Sequence, residues 1–253
     1  MDGKKMDIKD KTVVVVGGAS GLGEATCRKL AEKNAKIRIL DREKEKSHSL
    51  ANQLGGWAFQ VDVTDTPSLE KAFLSCRPFH AVINTAGISK AERVLGKKGV
   101  ASLAHFEQAV AINLVGSFNV IRLAAALMSK QEQLTDDGER GVIINTASIA
   151  AYEGQVGQAA YSASKAGIIG MTLPIARELS DVGIRIMTIA PGVFQTPMVD
   201  TLSDKVVKAL SESVPFPKRL GFSQEYAALV VHILENSYLN GETIRLDAAL
   251  RMS

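Results

Sequence analysis

Short, dense apolar runs alternate along this chain with longer stretches in which apolar residues recur every three or four positions. The runs are Thr12 to Val16, Lys36 to Leu40, Trp57 to Val61, Ala81 to Asn84, Val142 to Ala147, Ile184 to Ile189 and Thr243 to Leu246. Thr12 to Val16 and Val142 to Ala147, apolar and mostly β-branched, predict buried strands, and the other runs predict strands as well. The stretches between them predict helices: from the turn at 17–23 to about Lys33, over about Lys44 to Leu54, from Thr66-Pro67, over about Leu103 to Met128, over about Val156 to Leu179, and near Gln224 to Leu234. Thr66 reads as an N-cap with proline in the first turn behind it. Residues 193–222 hold a short helix and Pro215-Phe216-Pro217. Residues 1–11 read as a charged lead-in, and Ser129 to Arg140 as a mobile polar loop. The alternation predicts an α/β fold: one parallel, doubly wound sheet of about seven strands with helices on both faces.

The turn between the first strand and first helix is Gly17-x-x-x-Gly21-x-Gly23. Glycines there let backbone approach a pyrophosphate, and the helix start offers unpaired N–H groups and a positive dipole end. Asp41 ends the second strand about 20 residues further on, where a carboxylate meets the adenosine ribose. That pairing makes the sheet Rossmann-type and favours NAD over NADP, because a carboxylate repels a 2′-phosphate. Arg42 works the other way, although no Lys or Arg lies in the Gly-rich turn itself. Asp41 is otherwise an ordinary strand-end turn residue.

A second constellation lies downstream. Ser148 falls at the C-terminal end of the fifth strand, where open α/β sheets carry their ligand crevice. Tyr161 and Lys165 stand four residues apart on a predicted helix and share one face. An ammonium beside a phenol lowers the phenol toward working pH, so Tyr161 becomes an acid–base group and Ser148 a hydrogen-bond donor to the same substrate oxygen. Taken alone, Tyr-x-x-x-Lys is a commonplace amphipathic pair and Ser148 an ordinary strand-end cap.

Composition narrows the reading. The chain has 253 residues, 46% hydrophobic, with a formal net charge of +3, so one sizeable core fits and residues 1–253 read as one domain. The positive charge is not clustered as nucleic-acid binding requires, and no apolar run is expected to span a membrane. The N-terminus fits neither a signal nor a transit peptide. Cys27 and Cys76 fall in predicted helices and point to free thiols in a reducing compartment, cytoplasmic or, in a eukaryote, the mitochondrial matrix. His48, His80, His105 and His232 have no metal-ligand spacing, so no metal is expected.

Taken in order, Gly17-x-x-x-Gly21-x-Gly23, Asp41, Asp62-Val63, Asn84-Thr85-Ala86-Gly87, Asn113, Ser148, Tyr161-x-x-x-Lys165 and Pro191-Gly192 with Thr196 resemble the short-chain dehydrogenase/reductase family over essentially the whole chain. The resemblance implies a catalytic tetrad of Asn113, Ser148, Tyr161 and Lys165. It implies a cofactor bed of Gly17, Ser20, Gly21, Leu22, Gly23, Asp41, Asp62, Val63, Asn84, Thr85, Ala86, Gly87, Pro191, Gly192, Phe194 and Thr196, with Tyr161 and Lys165 touching the cofactor as well. Substrate would meet Ser148, Tyr161 and Gln158. Asn113 would hold a proton-relay water; the alternative, on hydrogen-bonding grounds alone, is a buried polar residue satisfied by backbone. A homotetramer is implied, in keeping with helices that are apolar over more than one face. Two positions depart from the family pattern: Val16 replaces a threonine, and Asp247-Ala248-Ala249 replaces a glycine-containing turn.

Longer stretches, among them Glu153 to Lys165, Met171 to Arg177 and Leu239 to Glu242, resemble the branch of the family that interconverts 3-hydroxyacyl-CoA and 3-oxoacyl-CoA. The segment 87–105, with Lys90, Arg93, Lys97 and Lys98, would then meet coenzyme A phosphates, while residues 193–217, apolar at Val214 and Phe216, cover the acyl chain. A solvated basic loop is the plainer reading. Other readings are an NADPH-dependent 3-oxoacyl-carrier-protein reductase, a steroid or other alcohol dehydrogenase, and an NAD-sensing scaffold.

Overall fold

The computed structural model describes residues 6–97, 99–197, 199 and 204–252. Seven parallel strands form the central sheet: β1 (Thr12–Val16), β2 (Lys36–Asp41), β3 (Trp57–Gln60), β4 (Ala81–Asn84), β5 (Gly141–Thr146), β6 (Ile184–Pro191) and β7 (Thr243–Leu246). Their spatial order is β7-β6-β5-β4-β1-β2-β3. The helices are α1 (Gly21–Glu32), α2 (Lys44–Gln53), α3 (Thr66–Cys76), α4 (Leu103–Val110), α5 (Gly116–Met128), α6 (Ala159–Leu179), α7 (Asp204–Ser213) and α8 (Ser223–Glu235).

The period of two along each strand divides the core into two layers. Val13 and Val15 pack with Cys27 and Leu30 of α1 and Tyr226 and Val230 of α8. Val14 and Val16 face the other way, toward Phe73 of α3, Val120 and Ala124 of α5, and Ile175 of α6. Met6 and Ile8 join the first layer, so the lead-in is anchored by two buried side chains. Both cysteines are buried free thiols. Burial raises both, Cys76 to about 12.

The segment 129–140 is not the mobile loop expected of its composition. Glu139 is buried and pairs with Arg185 of β6 at 2.9 Å. Arg185 also donates to the carbonyls of Ile233, Leu234, Asn236 and Leu239, which binds the segment to the end of α8. The predicted helix from Val156 begins later, at Ala159, and residues 155–156 are exposed. The Leu103–Met128 helix is, against expectation, long and apolar enough to cross a membrane by length and composition. Here it lies on the sheet with Asn113, Ser117 and Asn119 buried. It also contains a wide π turn at Ala111–Val115 that periodicity does not reveal.

Residues 95–96 and 99–100 form a small antiparallel ribbon within the stretch expected to be irregular. Near the C-terminus, Ala248 and Ala249 occupy left-handed conformations, φ +51° and +62°. For an L residue that costs about 1–2 kcal/mol, which is why glycine is the usual occupant of such a turn.

Candidate active site

In the strand order, chain direction across the sheet reverses between β1 and β4, and the crevice outside their C-terminal ends is where α/β sheets bind ligands. The residues of interest come from the strand ends, loops and helices around that end. Gly17 has φ +75°, and a Cβ there would lie 2.6 Å from the Ala86 nitrogen. A Cβ on Gly23 would overlap the Gly17 carbonyl oxygen. The turn is therefore built for bare backbone. Thr85 clasps it, its hydroxyl donating to the carbonyls of Val16 and Gly17, each at 3.0 Å. This supplies the hydroxyl that Val16 lacks. Ser20 is exposed at the N-cap of α1 without a side-chain capping bond, and Leu22 is half-buried in the first turn.

Asp41 ends β2 against this turn. Its carboxylate accepts the Ala19 N–H and the Glu43 N–H, both at 2.9 Å. Arg42 is exposed and pairs with Glu43 at 3.5 Å. Asp62 accepts from the Thr64 hydroxyl and N–H, and these bonds, the hydroxyl first, hold its carboxyl below the usual range. Val63 is buried against Gly116. The loop after Pro191-Gly192 folds back until the Thr196 methyl stands 3.5 Å from where a Gly21 Cβ would be. Phe194 is buried beneath Gly221. Glycines without room for a side chain, a helix start and a strand-end carboxylate fit a dinucleotide.

Asn84 is buried, its amide donating to Ser117 Oγ at 2.9 Å, so its side chain braces the Thr85-Ala86-Gly87 turn. Asn113 sits in the π turn and is fully buried. Its carboxamide donates to the Ile88 carbonyl at 2.9 Å and to Ser164 Oγ at 3.0 Å, and accepts the Ile88 N–H at 2.8 Å. Ser117 Oγ donates to the Asn113 carbonyl at 2.6 Å, within the wide turn. A Cβ on Gly87 would lie 3.2 Å from Asn113 Oδ1 and 3.3 Å from Lys165 Nζ, so these two side chains converge on one bare backbone position.

Ser148 follows β5 and accepts the Ala150 N–H. Tyr161 and Lys165 share a face of α6, as their spacing predicts, but their electrostatics differ from expectation. The Lys165 ammonium donates to the Thr146 carbonyl at 2.8 Å and lies 5.8 Å from the centre of the Tyr161 ring. Burial raises the Tyr161 phenol, and the Ser148 hydroxyl is what opposes that rise. Burial also draws Lys165 down to about 8. The lysine charge is aimed at a backbone carbonyl, and burial outweighs what lowers the phenol. Gln158 is half-buried just before α6, its side chain accepting the Gln155 N–H.

Sequence reading missed Thr146, Ser117 and Ser164, which hold Lys165, Asn84 and Asn113. Thr146 also bonds Tyr226 at 2.7 Å, a pairing 80 residues apart. None of the three carries a motif. A cavity of about 230 Å³ lies alongside, lined by Val193, Phe194, Val214 and Phe216 but by none of the tetrad. Val214 is buried against Ile149 and Leu250, whereas Phe216 is 82% exposed.

A phenol, a hydroxyl and an ammonium beside a dinucleotide crevice define an oxidoreductase that couples proton transfer to hydride transfer on a nicotinamide cofactor. The chain belongs to the short chain dehydrogenase family, whose model matches residues 11–206. It is 50% identical to 3-hydroxyacyl-CoA dehydrogenase type-2 of Bos taurus over 97% of each chain. It is 49% identical to the protein of that name from Drosophila melanogaster, over 97% of this chain and 99% of that one. A crystal structure of 3-hydroxyacyl-CoA dehydrogenase type-2 from Mycobacterium avium superposes with a TM-score of 0.92 at 39% identity, covering 96% of both chains.

Proposed function

We propose that the protein reversibly oxidises a 3-hydroxyacyl-CoA to the 3-oxoacyl-CoA with NAD. Near-complete coverage at about half identity to dehydrogenases of that name carries the substrate reading. The substrate hydroxyl lies between Ser148 and Tyr161. Tyr161 takes its proton in oxidation and returns one to the ketone in reduction. A nicotinamide bound there would supply the hydride acceptor for oxidation and the donor for reduction. A raised phenol is an able acid at neutral pH, so reduction draws on the resting form and oxidation gains as pH rises. Lys165 holds the nicotinamide ribose and, through Thr146, the end of β5. Asn113 ties the loop after β4 to α6, and the proton relay passes beside it.

Asp41 supports NAD over NADP, which weighs against a carrier-protein reductase. Losing a charge-assisted bond costs about 1.5–3 kcal/mol, so Asp41→Ala weakens NADH binding roughly ten- to a hundredfold in a fluorescence titration. Faster turnover of NADPH than NADH by the wild type refutes this choice. Exposed Phe106, Val115 and Phe118 on the α4–α5 helix and Leu173 on α6 support a face that meets further copies, in a homotetramer. Two buried free thiols accord with a reducing compartment.

The basic segment is the site proposed for the coenzyme A phosphates. Lys90, Arg93 and Lys97 are exposed; Lys98 lies outside the described residues. The Glu92 N–H donates to the Gly157 carbonyl at 2.8 Å, which seats the segment beside Gln158. Each exposed pair is worth only about 0.2–1 kcal/mol, so several act together. Replacing Lys90, Arg93, Lys97 and Lys98 with alanine raises KM for acetoacetyl-CoA severalfold, an effect that shrinks with salt. KM for a pantetheine analogue without the nucleotide phosphates stays put. Equal changes for both substrates reduce the segment to a surface loop.

A further inference from the structure

Arg245 lies on β7, the edge strand of the sheet, far in sequence from the tetrad. Its guanidinium makes four hydrogen bonds. Nη1 and Nη2 donate to the two Glu153 oxygens, each at 2.8 Å, and Nε donates to Asp247 at 2.7 Å. Nη2 also reaches the Leu250 carbonyl at 3.2 Å. The Tyr152 ring stacks on it at 4.7 Å. Arg251 closes the cluster, donating to Asp247 at 3.0 Å and lying 3.6 Å from Glu153.

These partners belong to three different parts of the site. Tyr152 and Glu153 lie in the loop between Ser148 and Tyr161. Asp247 backs onto Gly192, where a Cβ would come within 2.9 Å of the Asp247 Cα. Leu250 begins the tail, beyond a left-handed turn that alanines do not favour unaided. The tail is nonetheless packed: Leu250 is 3% exposed and clusters with Ile149 and Val214, with Val193 and Met252 against them. Ile149 follows Ser148 and Val193 follows Gly192. The cluster therefore stands between the ends of the adjacent strands β5 and β6, which carry the catalytic hydroxyl and the nicotinamide motif.

We propose that Arg245 is a positioning residue that latches the C-terminal tail onto the Ser148 loop, and that Leu250, packed behind Val193 and Val214, thereby backs the cavity wall that sets which acyl chain lengths enter. The wall rests on the 3-hydroxyacyl-CoA reading; the latch does not. A bidentate pair at a half-buried site fixes orientation as well as distance.

Two measurements on the full chain test this. In Arg245→Met, hydrogen exchange at the Ala249 and Leu250 amides speeds up about tenfold or more, since their bonds to Asp247 open with the tail. Arg245→Lys restores part of the protection, and NADH affinity stays near wild type in both. In Leu250→Ala, kcat/KM for 3-oxodecanoyl-CoA rises about tenfold relative to acetoacetyl-CoA, the scale of discrimination that missing methylenes confer. Unchanged exchange in Arg245→Met overturns the latch. An unchanged ratio in Leu250→Ala overturns the wall. A wild type inactive on both thioesters refutes the substrate reading instead, and the exchange result then decides the latch by itself.

Discussion

Replacing Tyr161 with phenylalanine lowers kcat at least a hundredfold and leaves NADH affinity almost unchanged. The ring stays, so packing beside Ser148 and Lys165 is kept; only the proton carrier goes. General acid–base catalysis is worth about 10²–10⁴ in rate. The loss falls on kcat and kcat/KM together, because the missing transfer belongs to the transition state and not to ground-state binding. The wild-type rate of ketone reduction falls as pH climbs through the phenol's titration, while alcohol oxidation rises. The variant loses that dependence along with its rate. Steady-state kinetics across pH, with acetoacetyl-CoA and NADH for reduction and 3-hydroxybutyryl-CoA and NAD for oxidation, measure these effects. A variant keeping most of its kcat removes Tyr161 from the chemistry.

Arg185→Met destabilises the fold by about 3–5 kcal/mol, the usual cost of breaking a buried pair from one side. Arg185 and Glu139 side chains are 8% and 6% exposed. Methionine fills much of the volume but leaves the Glu139 carboxyl, which burial already raises, without its partner in a dry site. It also deprives the last turn of α8 of the cation that answers its carbonyls. One Glu139 oxygen already has no partner among the described residues, so the pair has no slack. For a domain this size the melting temperature drops by about 6–20 °C. Adding Glu139→Gln recovers part of the loss, because the orphaned carboxyl is what costs most. A melting temperature within about 2 °C of wild type would show that the pair contributes little.

The strands, the Gly-rich turn, Asp41 and the Ser148, Tyr161 and Lys165 arrangement are legible in the sequence because each is a local signal. A buried strand is a short apolar run, and two side chains four apart on a helix meet whatever lies around them. The π turn at Asn113 is different. An apolar helix of 26 residues tolerates one widened turn without changing its pattern, and what stabilises the turn includes Ser117 and Asn84, from its own far side and from another strand. The pair Glu139 and Arg185 joins positions 46 apart, so residues 129–140 looked mobile when only their composition was in view. The direction of the Tyr161 shift escaped for a related reason. The partner of Lys165 is a main-chain carbonyl, and no residue type announces where a carbonyl points.

Asp41 has a consequence for anyone wishing to re-engineer cofactor choice. Both carboxylate oxygens are anchored by backbone N–H groups, so the side chain is already fixed where a ribose would meet it, and binding need not freeze a rotamer at about 0.5–1.5 kcal/mol. The same anchoring ties the proposed selectivity determinant to the shape of the Gly-rich turn through Ala19. A swap to a small neutral residue, the usual first step toward NADP, removes a repelling charge and unfastens the turn at once. A successful switch in this scaffold has to keep an acceptor for the Ala19 N–H while discarding the charge, as asparagine does, and add the cation for the 2′-phosphate elsewhere. Neighbouring Arg42, now leaning on Glu43, is the natural place to find it.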